Sequence, residues 1–566
     1  MPSTGTAGRY IPKIICVCQP LPRVFFGRQI HSHRGRAGAS VLSPAAARPI
    51  VRSVSDAHRF VAPARLIAAL TLLSRLLGLG REMVYAYFFG TGPALSAFRI
   101  AWQIPNLFRR LFGEGALSAA FIPALTDCRH HRGEAEARRL AGAVLAVLVV
   151  VLSALVIAAE MGIAFTHWAR PSLTLRLTAF MLPYMPLICM TALVGAMLNV
   201  LHRFAAPAFA PVLLNVFIII AALVGGRVAG LDGRPLLYLI CGAALAGGVA
   251  QLLLVAVSLR RAGFSPAFDR AWRHPEVRKI TAVMAPMILG MSAVQINTLA
   301  DSVIALFFVP DGRGPAVLGF AQVLYQLPLG VLGVALATAI FPLLSARASE
   351  GDLPGMTRAF EQGVRMSLFV GVPSAVGLCL IAQPLIRLLF ERGEFEVGDA
   401  VRAARSLIFY GAAVWAYFLQ QILVRTFYAM KNSRTPARIA ATMVLVNFTL
   451  NLMLVFPLGE SGVALATAIS ATGQVAWLAW TLHGRLAPVR GRWLLTGIVR
   501  IVLAAVALAG AVYLPALLMG ADRWGSLRPG VQVAVSVALG VIAYAAAARA
   551  LHVDELRELL RFRAPR

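Results

Sequence analysis

Arginine is unusually frequent in the first two apolar stretches of the chain, at positions where a charged side chain is unfavourable. A charge at bilayer depth costs on the order of 3 kcal/mol, so such groups are usually paired or face a wet cavity. Guanidinium groups stay charged at any working pH and bind phosphate oxygens in a bidentate manner. We therefore expect a cationic cavity suited to a diphosphate. The ionisable residues are Arg65, Arg75, Arg81, Glu82, Arg99, Arg109, Arg110 and Glu114.

Two structural explanations of these charges stay open at this point. Glu82 and Glu114 are placed to neutralise neighbouring arginines, and Arg109 and Arg110 are placed to extend toward the membrane interface. The excess of cations over acids favours a binding surface. Gly78 and Gly80 lie between Arg75 and Arg81 and predict that the helix loosens there.

A second polar group lies in the middle of the chain. Asp301 is a lone acid in an apolar stretch, with Gln295 and Asn297 close by, and Asn447 and Asn451 share one face of a later helix at i, i+4 spacing. This set predicts a site for Na⁺ or a proton, and hydrogen bonding between helices is an equally open explanation. No nucleophile–base pair, metal-ligand cluster or phosphate-binding Gly loop is recognisable, so we expect a protein that is not an enzyme.

Composition indicates that a membrane surrounds these residues. The chain has 566 residues, of which 59% are hydrophobic and 14% charged, whereas soluble domains carry about 25% charged residues. Apolar runs of about 20 residues are long enough to span a bilayer. The sequence predicts fourteen helical spans near 62–89, 94–125, 139–166, 173–201, 207–229, 236–258, 280–309, 316–344, 362–390, 404–429, 437–457, 461–482, 493–519 and 529–551.

The distribution of charge predicts the topology. The net charge is +29, but the cations fall mostly in short loops after even-numbered spans, which argues against nucleic-acid binding. By the positive-inside rule both termini are predicted to be cytoplasmic. Residues 1–58 form a basic segment that we interpret as a disordered tail or as the product of a start codon assigned too far upstream.

An internal repeat predicts how the spans are organised. The segment 116–125 (ALSAAFIPAL) resembles 335–344 (ALATAIFPLL), and the loop at 202–207 parallels the one at 431–436. Both offsets equal six spans, and an even number of spans gives repeats of parallel orientation. We therefore predict an all-α polytopic membrane protein with two six-helix lobes, 59–275 and 276–487, followed by two further helices and a cytoplasmic tail in 488–566.

Several motifs then identify a family. They are Ser74-Arg75-Leu76-Leu77-Gly78 with Arg81-Glu82, the stretch 105–116 (PNLFRRLFGEGA), Leu182-Pro183-Tyr184, the stretch 199–211 (NVLHRFAAPAFAP), the stretch 327–335 (LPLGVLGVA), and Phe427-Tyr428-Ala429 with Thr435-Pro436. Together they closely resemble the MurJ/MviN family of lipid II flippases, from about residue 60 to the end of the chain. The resemblance implies the fold of the multidrug/oligosaccharidyl-lipid/polysaccharide exporter superfamily and alternating access between two lobes.

The resemblance also implies a substrate and its site. It implies lipid II as substrate, membrane lipids and cell-wall synthesis enzymes as partners, and the bacterial inner membrane as location. Arg75, Arg81 and Arg109 stand where the family has the cavity arginines that bind the lipid head group, and we add Asn106, Arg110 and Glu114 as further substrate-binding candidates. Those resembling its sodium site are Asp301, Asn447, Asn451, Val463 and Thr467, which implies coupling to Na⁺ or H⁺.

Four positions depart from the family pattern. Ser96 stands where the family usually has Asp, Gln322 and Val323 stand where it has Asp-Arg, and Asn451 stands where Asp is more frequent. One expected cavity cation, at Val323, is therefore absent. These departures leave open export of a different polyprenyl-linked glycan. A scaffold that recruits cell-wall enzymes without transport is the other alternative.

Overall fold

A computed structural model describes the chain over residues 54–267 and 275–561, so most of the predicted N-terminal tail lies outside it. Within these ranges, side chains are described except at 54–65, 113–119, 169, 275, 285–287, 289–291, 293–294 and 559–561. The side chains of Arg65 and Glu114 fall in these gaps.

The described backbone is helical and contains no strand. It forms fourteen long helical segments, several of them interrupted, and each overlaps one of the predicted spans. These are α1 (Val54–Phe89), α2 (Pro93–Phe108 and Ala116–Arg132, joined by a π-helix at Arg109–Gly115), α3 (Glu134–Ala169), α4 (Leu173–Met181 and Tyr184–Val200), α5 (Ala205–Leu223, extended by a π-helix at Val224–Val228), α6 (Gly233–Arg261), α7 (Pro275–Phe308), α8 (Gly314–Pro328 and Val334–Ser349, joined by a π-helix at Leu329–Gly333), α9 (Leu353–Leu380 and Ala382–Phe390), α10 (Val397–Ala412 and Val414–Ala429), α11 (Arg434–Leu458), α12 (Glu460–His483), α13 (Gly491–Met519) and α14 (Pro529–Ala550).

Two shorter helices complete the described chain. Ala521–Ser526 lies between α13 and α14, and α15 (Asp554–Arg561) follows α14. By length and composition, eleven of the described helices are apolar enough to cross a membrane. The other three are α1, α2 and α7, which include the charged and polar stretches singled out above. Fourteen crossings therefore stays a prediction.

The internal repeat is visible in the backbone. The π-helices of α2 and α8 lie at equivalent places in the two copies, each just before its Ala-Leu repeat segment. His202 and Lys431, which begin the two equivalent loops, both adopt left-handed conformations, with φ of 57° and 58°. A positive φ is uncommon for a residue with a side chain, so its occurrence at both positions reflects a shared loop geometry.

The prediction that α1 loosens at Gly78 and Gly80 was wrong, because the helix runs uninterrupted through both positions. Both glycines face α5. A Cβ atom at Gly78 would lie 4.0 Å from Asn215, and one at Gly80 would lie 3.9 Å from Ile219, which are ordinary van der Waals distances. An alanine would therefore fit at either position.

Candidate functional site

A cavity of about 1090 Å³ lies among the helices and collects most of the predicted site residues. Side chains from α1, α2, α4 to α8 and α10 to α12 form its wall. Arg75, Arg81, Asn106, Arg109 and Arg110 line it, and so do Asp301, Asn447 and Thr467 from the second predicted set. Among the described side chains, its charged groups are five arginines and two carboxylates, so the cavity is cationic.

Glu82 holds two of the arginines together on one wall. Its buried carboxylate accepts from Arg81 Nη2 at 2.8 Å through Oε1 and from Arg99 Nη2 at 2.8 Å through Oε2. Arg81 also donates to Asn215 Oδ1 on α5 at 3.2 Å and lies 5.4 Å from the centre of the Trp102 ring. The explanation that Glu82 neutralises its neighbours therefore holds, but one carboxylate between two guanidiniums leaves an excess positive charge.

Three further cavity arginines lie away from Glu82. Arg75 on α1 reaches α8, where its Nη2 lies 3.4 Å from the carbonyl oxygen of Gly330 in the π-helix. Arg109 Nε donates to Asn106 Oδ1 at 3.2 Å, within α2. Arg110 Nη1 donates to Gln295 Oε1 on α7 at 2.9 Å. Arg75 and Arg110 thus connect the first two helices to helices of the second repeat.

Proline explains why α2 turns its arginines inward at this place. Pro105 lies inside α2 and cannot donate a backbone hydrogen bond, which weakens the regular helix shortly before Arg109. The following residues form the π-helix Arg109–Gly115. Pro328 precedes the π-helix of α8 in the same way. Such π-helical turns are frequent at functional sites because they change the direction of side chains.

The second predicted set gathers around Asp301. Its carboxylate accepts from Asn451 Nδ2 at 2.6 Å and from Thr467 Oγ1 at 3.3 Å, while Thr467 Oγ1 also lies 3.0 Å from the Val463 carbonyl oxygen. The Asn447 amide fits its neighbours best with its nitrogen 3.0 Å from Asp301 Oδ1. The structure therefore brings together all five residues of this set.

One atom of this cluster fits a cation. Asn451 Oδ1 is buried without a hydrogen-bond donor, although buried polar atoms normally have a partner. Carboxylate and amide oxygens suit a hard cation, and in this arrangement the amide nitrogens of Asn447 and Asn451 face the Asp301 carboxylate. Within the described ranges, no three His, Cys, Asp or Glu side chains cluster as ligands for a transition metal.

Neutral amides from α8, α10 and α12 form another part of the cavity wall, and sequence reasoning assigned most of them no role. Gln322 and Gln326 lie on α8, Gln420 and Gln421 on α10, and Gln474 on α12, and all of them line the cavity. Adjacent glutamines inside an apolar stretch were the available signal. Because amides both donate and accept hydrogen bonds, this wall suits uncharged polar groups such as sugars and peptides.

One end of the cavity is closed by contacts between loops that follow odd-numbered helices, the end predicted to be periplasmic. The backbone N–H of Glu394 donates to the Tyr87 carbonyl oxygen at 3.0 Å, and Arg313 pairs with Asp399 at 3.3 Å. Toward the other end, the cavity extends to Pro207 in the first turn of α5. The site is therefore closed on its predicted periplasmic side.

Comparisons with known proteins fit this geometry. A family model described as lipid II flippase MurJ matches residues 85–526. The chain belongs to this family. A probable lipid II flippase MurJ of Rhizobium meliloti (strain 1021) is 36% identical over 463 residues, covering 79% of this chain and 85% of that protein. A probable lipid II flippase MurJ of Vibrio cholerae serotype O1 is 33% identical over 520 residues, covering 87% and 96%.

Solved structures of related transporters share the fold. A lipid II flippase MurJ in an inward closed conformation superposes with a TM-score of 0.71 at 24% identity, covering 86% of this chain and 99% of that one. An inward-facing multidrug transporter of the MATE family gives a TM-score of 0.62 at 15% identity, covering 74% and 98%. The family and these structures confirm an all-α multi-pass membrane protein of the bacterial inner membrane.

The departures from the family pattern have local explanations. Ser96 Oγ accepts from the backbone N–H of Ala316 at 3.2 Å and so satisfies a donor in the first turn of α8. Gln322 Nε2 donates to the Tyr410 hydroxyl at 3.3 Å. Asn451 binds Asp301 as described above. Val323 lines the cavity as an apolar side chain, and the structure offers no compensating contact at that position itself.

Proposed function

We propose that this member of the MurJ family is a lipid II flippase that moves its substrate from the cytoplasmic to the periplasmic leaflet. The observation that carries the proposal is the cavity lined by five arginines, closed at one end by loop contacts. Diphosphate is the anionic part of a lipid-linked precursor, and arginine is the side chain best suited to bind it. The lipid tail stays in the membrane during the movement.

The predicted site residues take distinct roles in this proposal. Arg75, Arg81 and Arg109 bind the diphosphate and the adjoining head group. Asn106 supports this binding by accepting a hydrogen bond from Arg109, and Arg110 is held in the cavity by its hydrogen bond to Gln295. Glu114 is included because of its position in the sequence motif. The amide wall of α8, α10 and α12 then faces the uncharged sugar and peptide part.

The proposed movement uses the two predicted lobes, 59–275 and 276–487, with residues 488–566 as an accessory pair of helices and tail. Both termini would be cytoplasmic, as the loop charges predict. Alternating access would open the predicted periplasmic end of the cavity, where the loops are in contact, and close the cytoplasmic end. Energy comes from the membrane potential, at about 2.3 kcal/mol per charge per 100 mV, or from Na⁺ or H⁺ at Asp301.

A depletion experiment tests this function. We would express the parent chain and its Arg75→Ala, Arg81→Ala and Arg109→Ala variants in a bacterium depleted of its own flippase, and measure lipid II exposed to the periplasm. The matched control is Arg492→Ala, which removes an exposed arginine of α13 outside the cavity. The parent and control should restore exposure, and each cavity variant should lose about tenfold or more, as expected from one charged hydrogen bond.

Two other functions would give different results. Export of another polyprenyl-linked glycan is favoured by the apolar Val323 in place of a cation, and predicts that the inserted parent fails to restore lipid II exposure. A scaffold that recruits cell-wall synthesis enzymes would restore growth with all three arginine variants. Normal lipid II exposure in well-expressed Arg81→Ala cells would contradict the flippase proposal.

A further inference from the structure

We propose that Arg99 is an additional head-group-binding cation, which in this chain replaces the cation that the family carries on α8. This inference rests on the proposed function and names one more residue of the same site. Arg99 lies on α2, one turn before Gln103, and lines the cavity with the other four arginines. The sequence analysis included Arg99 in the expected cationic set but not among the residues named as the substrate site.

Glycine at position 319 places Arg99 directly against α8. A Cβ atom at Gly319 would lie 2.4 Å from Arg99 Cζ and from Nη1, so any larger residue would displace the guanidinium. The same guanidinium lies 4.5 Å from the centre of the Phe320 ring, at cation–π distance. The charge of Arg99 is therefore held on the surface of α8, although the residue belongs to α2.

The Arg99 charge lies next to Val323, the position where the family carries a cation. Gly319 and Val323 are four residues apart and so lie on the same face of α8, one turn from each other. Both line the cavity. The Arg99 guanidinium at Gly319 thus places a positive charge on the part of the cavity wall where Val323 has none.

Unsatisfied donors indicate that this pair of arginines is prepared for an acceptor. Arg81 Nε and Arg99 Nε are both buried, and neither has a hydrogen-bond partner among the described atoms. Buried donors without a partner are rare because each loses its hydrogen bonds to water. Glu82 occupies only Nη2 of each guanidinium in this arrangement. Because Arg81 Nη1 already donates to Asn215, the two Nε groups and Arg99 Nη1 are the donors left for phosphate oxygens of an entering head group.

The alternative is that Arg99 only forms a structural ion pair with Glu82. The two roles differ in whether a cation placed on another helix can replace Arg99. If Arg99 only fixes α2 against α1, a cation placed on α8 cannot replace it. If Arg99 acts as a cavity cation, Val323→Arg should compensate for its loss, because the charge returns to the same wall. Gly319→Ala offers a second, milder test, since it moves the flexible guanidinium without removing it.

The experiment measures binding to purified, detergent-solubilised protein with two probes, lipid II and a polyprenyl diphosphate that carries no sugar. Variants are Arg99→Gln, Gly319→Ala, Arg99→Gln with Val323→Arg, and Arg492→Gln as the control. Arg99→Gln should weaken the binding of both probes by roughly tenfold or more, the effect of losing one charged hydrogen bond. The double variant should recover most of that loss, and Gly319→Ala should give an intermediate value.

Two results would overturn the inference, and a third would overturn only the proposed function on which it rests. Unchanged affinity in Arg99→Gln would show that Arg99 does not bind the head group. Weak binding that Val323→Arg fails to restore would make Arg99 a structural partner of Glu82. Binding of the sugar-free diphosphate by the parent without binding of lipid II would reject the proposed substrate, while the Arg99 comparison with the diphosphate still reports on the cation itself.

Discussion

Thr91, in the loop between α1 and α2, donates a hydrogen bond to the carboxylate of Asp399 in the first turn of α10. Both residues are buried, and they are 308 positions apart in the chain. Arg313, between α7 and α8, pairs with the same carboxylate at 3.3 Å. Asp399 therefore joins helices of the first repeat to helices of the second at the predicted periplasmic end.

We expect Asp399→Ala to favour opening of this end. Losing hydrogen bonds to a charged group costs about 1.5–3 kcal/mol, enough to shift a two-state equilibrium roughly tenfold or more. Spin labels at Pro93 and Arg392, both exposed in the joined loops, would report the distance between them. The variant should show a larger population at long distance, and an unchanged distribution would mean that Asp399 does not hold the loops together.

Arg402 supplies a matched control, because its partners all belong to the second repeat. Its Nε and Nη2 bind the two oxygens of Glu460 at 2.8 and 3.0 Å, and it also binds Asp311 in the loop after α7. Arg402→Gln should leave the loop distance unchanged. It should instead lower the melting temperature in detergent by more than the roughly 2–4 °C that 1 kcal/mol corresponds to, because the buried Glu460 carboxylate loses its guanidinium partner.

The effect of Arg402 should depend on pH through Asp311. Burial alone would raise the pKa of the Asp311 carboxyl, but hydrogen bonds from Arg402 and the Arg313 backbone, with their charges, bring the pKa below its ordinary value. Because the carboxyl has a lower pKa in the folded protein, it contributes stability at pH values above its pKa in the unfolded chain, about 3.9. This contribution is lost as the pH falls through the pKa of the folded state. The melting-temperature difference between parent and Arg402→Gln should therefore narrow below about pH 4, and a constant difference would contradict this linkage.

Sequence alone was sufficient for the features that depend on local composition. Apolar length located the helices, and the equivalence of 116–125 and 335–344 predicted a repeat in which His202 and Lys431, at equivalent positions, share a left-handed backbone conformation. Most of the polar residues predicted to face a cavity line one. These features follow from hydropathy and spacing, which act along the chain.

Features that depend on which helices meet could not be predicted. The seating of Arg99 on Gly319 and the contact of Thr91 with Asp399 join residues more than two hundred positions apart. Gly319 shows the same dependence, because only the position of Arg99 reveals that this glycine makes room for a side chain from another helix.

The cluster around Asp301 predicts a response to cations. If Na⁺ binds there, the melting temperature of the parent should rise with Na⁺ and not with K⁺, by the equivalent of about 2.7 kcal/mol at 100 times the dissociation constant. Asp301→Asn should abolish the rise, because the amide keeps a similar shape but loses the charge. Lack of a Na⁺ response, with transport that follows the proton gradient, would indicate H⁺ instead. Lack of both would leave Asp301 as a hydrogen-bonding residue between α7, α11 and α12.

The last helix is held to α9 by a buried ion pair, which predicts a stability effect. Arg365 on α9 binds Glu555 on α15, and their side chains are 2% and 5% exposed. The guanidinium also lies 3.9 Å from the centre of the Trp493 ring on α13. Arg365→Met should destabilise the protein by about 3–5 kcal/mol, because it leaves the Glu555 carboxylate buried without its partner.

A double variant separates the pair from the packing around it. Arg365→Met with Glu555→Leu replaces both charges by apolar groups, and such replacement is often neutral or stabilising. Chemical unfolding in detergent would measure the global stability. Protease cleavage of the chain between α14 and α15 would separately measure the release of α15. If the double variant is as unstable as Arg365→Met alone, the loss comes from the contact of the Arg365 guanidinium with the Trp493 ring and not from an unpaired charge.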